Sequence, residues 1–390
     1  MTVPDQGSAD AALVNWEEGG KPLHARWRSE SGTPVPKMLL IADDRMTADA
    51  AWRLVSEGSF LLWRGDYQNG RQLLQAMGRR ASQRAARPDK RGSDLAKAPP
   101  TALQAFNLHR QSQSQRARLL GMLLLQFDPG HLLSLRRAPD VRQQCQQAYG
   151  PAGEPYVVSM RELLGLIGAY EWRKTGVEIA ALGARIHPHY GVFSPLRGEY
   201  ITLVDQAVLP AHDLAFDIGT GTGVLAAVLA KRGVARIVAT DQDSRALACA
   251  HENLQQLGLA GQVELLQVDL FPPGHAPLVV CNPPWLPARP SSPIEYAIYD
   301  PDSRMLRGFL AGLADHLTPQ GEGWLILSDL AEHLGLRSRE QLLAMFAESG
   351  LTVAGRSDIR PRHGKASDAS DPLFAARSAE ITSLWRLVAA

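Results

Sequence analysis

The stretch Phe216-Asp217-Ile218-Gly219-Thr220-Gly221-Thr222-Gly223 closes the apolar run 214–218 and opens straight into residues 224–231, whose apolar spacing is helical. A strand, a tight glycine turn and a helix start are therefore predicted in one short segment. Glycine is needed there because the chain must turn through dihedrals that a Cβ disfavours while leaving its backbone open to a ligand. Outward from this segment, apolar runs recur at 236–240, 263–268, 277–281 and 323–328, separated by helix-like segments. Such alternation predicts a parallel sheet with helices packed on it. Two further runs, 351–355 and 381–388, are joined by a long polar loop without a convincing helix, and are expected to close the sheet as an antiparallel pair.

Three carboxylates accompany the glycine turn. Asp217 lies under it, placed to organise the loop and to help hold a cationic amino-acid group. Asp241 ends the second strand, which right-handed crossover geometry sets beside the first. Its carboxylate, with Gln242 next to it, can accept both hydroxyl protons of a ribose. The third run ends at Asp269-Leu270, where the carboxylate can accept from an adenine amino group, a solvated strand end being the plainer alternative. No lysine follows the glycines in the phosphate-loop pattern, which argues against a nucleoside triphosphate.

The fourth run leads into Val279-Val280-Cys281-Asn282-Pro283-Pro284-Trp285, at the edge of the sheet where ligands of such folds bind. Two successive prolines fix the backbone and remove two donors, so nearby carbonyls can face a ligand. The Asn282 side-chain oxygen and the Pro283 carbonyl can then receive the two hydrogens of a planar –NH₂ group, with Trp285 stacked on its face. Such a nitrogen is a poor nucleophile because its lone pair is delocalised. Holding both N–H groups on fixed acceptors favours pyramidal geometry and aims the lone pair for in-line displacement at an electrophilic methyl. Asn282, Pro283, Pro284 and Trp285 are accordingly the candidate catalytic residues.

Taken in order, the turn Asp217–Gly223, Asp241, Asp269 and Asn282-Pro-Pro-Trp285 resemble the class I small-domain methyltransferases. That superfamily includes the HemK-type protein glutamine methyltransferases and the adenine-N6 and guanine-N2 methyltransferases of nucleic acids. The resemblance covers roughly residues 185–390 and implies an α/β fold with a Rossmann-like seven-stranded methyltransferase sheet. It implies S-adenosylmethionine as cofactor, bound by Asp217, Gly219, Thr220, Gly221, Gly223, Asp241, Gln242, Asp269, Leu270 and Asn282. Tyr190-Gly-Val-Phe193-Ser-Pro195 resembles the segment that covers the cofactor in these enzymes, which adds Phe193. The implied activity is N-methylation of a macromolecule. A protein glutamine amide is the leading acceptor, with an exocyclic amine of adenine or guanine in rRNA, tRNA or DNA as the alternative. The intact glycine turn beside Asn282 argues against a non-enzymatic binding module. Trp285 stands where the family more often has Tyr or Phe, and the first half does not match the small helical bundle of the release-factor enzymes.

The bulk properties agree with a folded protein of more than one domain. The chain has 390 residues, 45% of them hydrophobic and 21% charged. Residues 1–150 are expected to form a separate N-terminal α/β recognition domain, with strands at 37–42 and 60–63 and helices at 50–57 and 71–77. A basic, mobile insertion is expected at 78–100, a linker and connecting helix at 151–184, and the catalytic domain at 185–390. The net charge of +1 is a cancellation, because residues 1–175 carry 24 Lys/Arg against 17 Asp/Glu. Most of that excess lies between Arg64 and Arg118, a stretch able to meet an acidic partner such as RNA. Cys145, Cys249 and Cys281 show no paired spacing, as expected of reduced thiols in a cytoplasmic protein. The polar start lacks a secretory pattern, and no apolar run approaches membrane-spanning length. His187 and His189 lack supporting ligands and are expected to be no metal site. Trp52, Trp63 and Trp172 are expected to pack. Loop residues 289–304 and 360–365 are candidates for flanking the acceptor.

Overall fold

The computed structural model describes residues 12–85, 100–290, 295, 297–361 and 368–390. The chain divides into two compact units, Met1–Ala98 with His109–Tyr170, and Pro99–Leu108 with Glu171–Ala390.

The elements of the first part, in chain order, are β1 (Leu13–Glu18), β2 (Lys21–Trp27), β3 (Leu39–Ala42), α1 (Ala48–Ser56), β4 (Phe60–Trp63), α2 (Tyr67–Ala85), α3 (Ala102–Leu120), β5 (Leu123–Phe127), α4 (Arg142–Tyr149), β6 (Tyr156–Ser159) and α5 (Met160–Thr175). The six strands make one mixed sheet in the order β1-β2-β6-β5-β4-β3. One face buries Leu61, Trp63, Leu123, Leu125 and Phe127 with the helices, and the other buries Leu62, Leu124 and Val157 with Val14 and Trp16. The strands and helices expected at 37–77 are present. Two expectations need correcting. Residues 78–85 are the last turns of α2, because Arg, Gln and Ala sustain a helix after its apolar stripe has ended; residues 86–99 lie outside the described residues. The segment 151–184 supplies β6, an interior strand paired with β5 and β2, whose short run Tyr-Val-Val-Ser was obscured by its Gly- and Pro-rich approach.

The second unit begins with a hairpin of β7 (Val177–Ile179) and β8 (Ala184–Ile186). It continues through α6 (Glu199–Gln206), β9 (Leu214–Ile218), α7 (Val224–Lys231), β10 (Arg236–Asp241), α8 (Ser244–Gln256), β11 (Val263–Gln267), β12 (Ala276–Cys281), α9 (Arg304–His316), β13 (Leu317–Ser328), α10 (Leu330–His333), α11 (Arg339–Glu348), β14 (Leu351–Ile359), α12 (Phe374–Ala379) and β15 (Thr382–Ala389). Its seven-stranded sheet has the order β11-β10-β9-β12-β13-β15-β14. The first five strands are parallel, and β15 runs antiparallel to β13 and β14. The expected Rossmann-like sheet with an antiparallel closing pair is observed. Contrary to expectation, the polar connection before β15 contains a short helix, α12.

Alternate residues of the central strands feed cores on opposite faces. Leu278, Val280, Trp324 and Ile326 pack with α6 and α7, while Val279, Cys281, Leu325 and Leu327 pack with α9 and α11. Burial on both faces explains why these strands are continuous apolar runs. Chain order reverses between β9 and β12, which are neighbours with Ile218 opposite Cys281. The glycine turn and the Asn-Pro-Pro-Trp turn therefore leave the same edge of the sheet from adjacent strands, at the switch point where such folds hold ligands.

Candidate functional site

The glycine turn is held from below and from the side. Asp217, 1% exposed, accepts from the Thr220 hydroxyl at 2.6 Å and from the Ala226 N–H at 3.2 Å. It thereby ties the loop to the first turn of α7. Burial pushes its carboxyl up to about 6 against those two hydrogen bonds. Thr220 N–H donates to the Thr240 carbonyl at 2.8 Å, and Gly221 N–H donates to Asp241 Oδ2 at 3.0 Å. Gly219, Gly221 and Gly223 have φ of +72°, +56° and +79°, so all three need the freedom that glycine supplies.

Asp241 ends β10 half-buried, and burial raises its pKa. One oxygen takes the Gly221 N–H and the other the Asp243 N–H at 3.0 Å. Each oxygen keeps a further lone pair, the complement of a vicinal diol. A Cβ on Gly221 would meet nothing within 4 Å, so the backbone beside this carboxylate is open. These features fit an adenosyl cofactor. Gln242 is exposed, and its carbonyl accepts from Gln267 Nε2 at 3.2 Å.

Asp269 and Leu270 differ from expectation in their commitments. Asp269 is ion-paired with Arg304 at 2.6 Å, both side chains being more than half exposed, so an adenine amino group would have to share or displace that partner. Leu270 has φ +72°, and its carbonyl accepts from the Thr240 hydroxyl at 2.6 Å. Phe193 is half-buried on the core beneath the sheet.

The Asn282 turn also differs in one respect. Trp285 Nε1 donates to Asn282 Oδ1 at 2.9 Å. The indole therefore fixes the Asn282 side chain, a role that stacking alone does not require. Pro283 is buried, and its carbonyl has no hydrogen-bond partner among the described residues. One free lone pair on Asn282 Oδ1 and the Pro283 carbonyl thus remain as acceptors. Arg197 lies over the Trp285 ring, its guanidinium carbon 5.6 Å from the ring centroid. Arg197 pairs with Glu380 at 2.8 Å, and that fully buried carboxylate also accepts from the Ser328 hydroxyl at 2.6 Å. Ser328, Glu380 and Arg197 thus form a line of support behind Trp285 that the sequence did not reveal.

Asn253 is a second residue missed. It is 1% exposed, donates to the Thr222 carbonyl at 3.0 Å and accepts the His187 N–H at 2.8 Å, so it clamps the 187–195 segment to the glycine turn. A buried polar residue on the inner stripe of α8 was the available signal. His189 pairs with Glu252 at 3.0 Å and His187 Nδ1 bonds the Arg173 carbonyl at 2.7 Å. No metal-holding group occurs among the described residues. Trp63 is buried as expected, but Trp172 is 45% exposed. Residues 291–294, 296 and 362–365 of the loops proposed to flank the acceptor lie outside the described residues.

Residues 183–349 match the family model described as methyltransferase small domain. The chain is similar to release factor glutamine methyltransferase of Cereibacter sphaeroides, 35% identical over 166 residues that make up 41% of this chain and 56% of that protein. Ribosomal protein L11 methyltransferase of Pelotomaculum thermopropionicum is 29% identical over 176 residues, 44% of this chain and 56% of that protein. The chain thus spans a little over half the length of these curated relatives. Among solved structures, the ribosomal protein L11 methylase of Lactobacillus delbrueckii subsp. bulgaricus aligns with a TM-score of 0.34 and 18% identity, covering 49% of this chain and 76% of that one. No helix among the described residues is long and apolar enough to cross a membrane.

Proposed function

We propose that this protein is an S-adenosylmethionine-dependent N-methyltransferase whose acceptor is a glutamine side-chain amide of another protein. The observation that carries the reading is the parallel register of β9 and β12, with Ile218 opposite Cys281, which sets Gly219 and Asn282 side by side at one sheet edge. In this reading Asp241 holds the ribose, Asp217 and the glycine turn hold the amino-acid end, and Asp269 and Leu270 flank the adenine. The cofactor, when bound, supplies a methyl group on a positively charged sulfur.

The chain's own residues do the rest. Asn282 Oδ1 and the Pro283 carbonyl accept the two N–H hydrogens of the incoming amide, turning its lone pair out of conjugation and towards the methyl. Trp285 and the prolines keep those acceptors fixed, so little reorganisation is needed during transfer. As the new C–N bond forms, the methyl–sulfur bond breaks and its electron pair returns to the sulfur; the methylated nitrogen then loses a proton to solvent, so no strong base is required. The glutamine assignment is supported by the similarity to release factor glutamine methyltransferases and by the pair of acceptors, which match a carboxamide –NH₂.

Incubating the protein with methyl-labelled cofactor and a lysate tests this. Label that is protease-sensitive, ribonuclease-resistant and recovered as methylglutamine is expected. Label released by ribonuclease or deoxyribonuclease would replace the amide with a base amine as acceptor.

A further inference from the structure

The loop that starts at Asn282 returns to the sheet edge through Tyr299. Leu286 bridges Tyr299, its N–H donating to the Ile298 carbonyl at 3.1 Å and its carbonyl accepting the Asp300 N–H at 2.8 Å. Just beyond this bridge, Pro287 on one side and Asp302-Ser303 on the other join Arg307, Arg337 and Glu348 in lining a cleft of about 610 Å³. Arg337 is 6% exposed, and its Nε hydrogen has no partner among the described residues. The carboxylates that act on it are committed elsewhere. Glu332 is bonded to Arg339 at 2.8 Å, and Asp300 caps α9 through the Met305 and Leu306 N–H groups, each at 3.1 Å. Both reach Arg337 only through space, and burial pulls its guanidinium pKa down. A buried cation with no counter-ion in contact is costly unless a ligand supplies the anion.

We propose that this cleft is a carboxylate-binding site in which Arg337 takes an acidic side chain of the acceptor polypeptide, next to the residue whose amide is held at Asn282. The inference rests on the reading of Asn282 as the acceptor side of the domain. The lining favours a carboxylate over a nucleic-acid phosphate. Asp302 and Glu348 line the same cleft and repel a chain of phosphodiesters, whereas one carboxylate needs only one planar, two-pronged guanidinium. Arg307 is held at the cleft by its Nε donating to the Asp302 carbonyl at 3.2 Å.

The test uses the full chain and reads no methyl transfer, so it fails or succeeds independently of the glutamine reading. N-acetyl-L-glutamate and inorganic phosphate are titrated at matched ionic strength while arginine Nε–H resonances are followed by NMR. The Arg337 signal is identified by its loss in Arg337→Met. A saturable shift of that signal with N-acetyl-L-glutamate is expected in the parent, and affinity measured by calorimetry is expected to fall about tenfold or more in Arg337→Met. Arg337→Met is also expected to melt no lower than the parent, since methionine leaves no unpaired buried charge. Arg337→Lys, which keeps the charge but not the planar fork, is expected to weaken binding as well. No saturable shift, equal affinity in both variants, or a preference for phosphate overturns the proposal.

Discussion

The indole N–H of Trp285 donates to the side-chain oxygen of Asn282 at 2.9 Å. One lone pair of that oxygen is spent on holding the side chain, and one remains for an acceptor N–H. Trp285→Phe keeps an aromatic ring and removes the donor. Turnover is expected to fall about tenfold, while cofactor affinity measured by calorimetry stays unchanged. A fully active Trp285→Phe would show that Asn282 needs no such support. Asn282→Ala is expected to keep cofactor affinity and lose turnover.

Gly219 and Gly223 share left-handed backbone but not surroundings. A Cβ on Gly219 would collide with the Met305 methyl, the end of a flexible side chain, whereas on Gly223 it would lie 3.1 Å from Ala250 Cβ and 3.2 Å from Ala250 Cα. Gly223→Ala is therefore expected to cost about 2–4 kcal/mol, the left-handed penalty plus overpacking. Gly219→Ala is expected to cost about 1–2 kcal/mol, with Met305→Ala relieving the collision. Denaturant melts of the three variants check the order, and equal losses would contradict it.

Asp217 gives the domain a pH dependence of known sign. Its carboxyl is raised to about 6 in the fold from 3.8, so between those values the folded state holds a proton that the unfolded chain has lost. Its contribution to stability is full below the lower value and is lost as pH rises through the upper one. A bound cation favours the ionised form, so affinity for S-adenosylmethionine should rise with pH across about 5 to 7. Asp217→Asn is expected to flatten both trends. Superimposable melting and binding profiles for the two proteins would remove Asp217 from this role.

The Arg197–Glu380 pair predicts a double-mutant result. Arg197→Met removes the guanidinium that contacts the fully buried Glu380 carboxylate and is expected to cost about 3–5 kcal/mol. Adding Glu380→Gln removes the buried charge and should recover most of that loss. Two single losses that simply add in thermal or urea denaturation would show that the pair is not coupled.

The core of the second unit was legible because its parallel strands are buried on both faces, leaving uninterrupted runs such as Leu278–Cys281 that need no partner to be recognised. The glycine turn and Asn282 were legible because backbone freedom and paired prolines are local requirements. What stayed hidden depends on distant pairing. β1 buries only Val14 and Trp16 of its six residues, and β6 is four residues long in a turn-rich segment. Neither announces a sheet without its neighbours. Glu380 was equally unreadable, since its role exists only where Arg197 and Ser328 meet it, 183 and 52 residues away in sequence. Asp269 stood at the predicted strand end, yet no local pattern shows that Arg304 would take its charge.

β15 is the last of the seven strands to be synthesised and takes a seat between β13 and β14. A growing chain therefore carries β14 with no hydrogen-bonding neighbour and β13 with an open outer edge until residues 382–389 arrive, a state exposed to mispairing. Glu380 comes in with the same segment, so the brace behind Trp285 is delivered only when the sheet is completed. Assembly of the proposed acceptor site is thus timed to the end of domain folding, and a nascent chain stalled before that point would lack this brace.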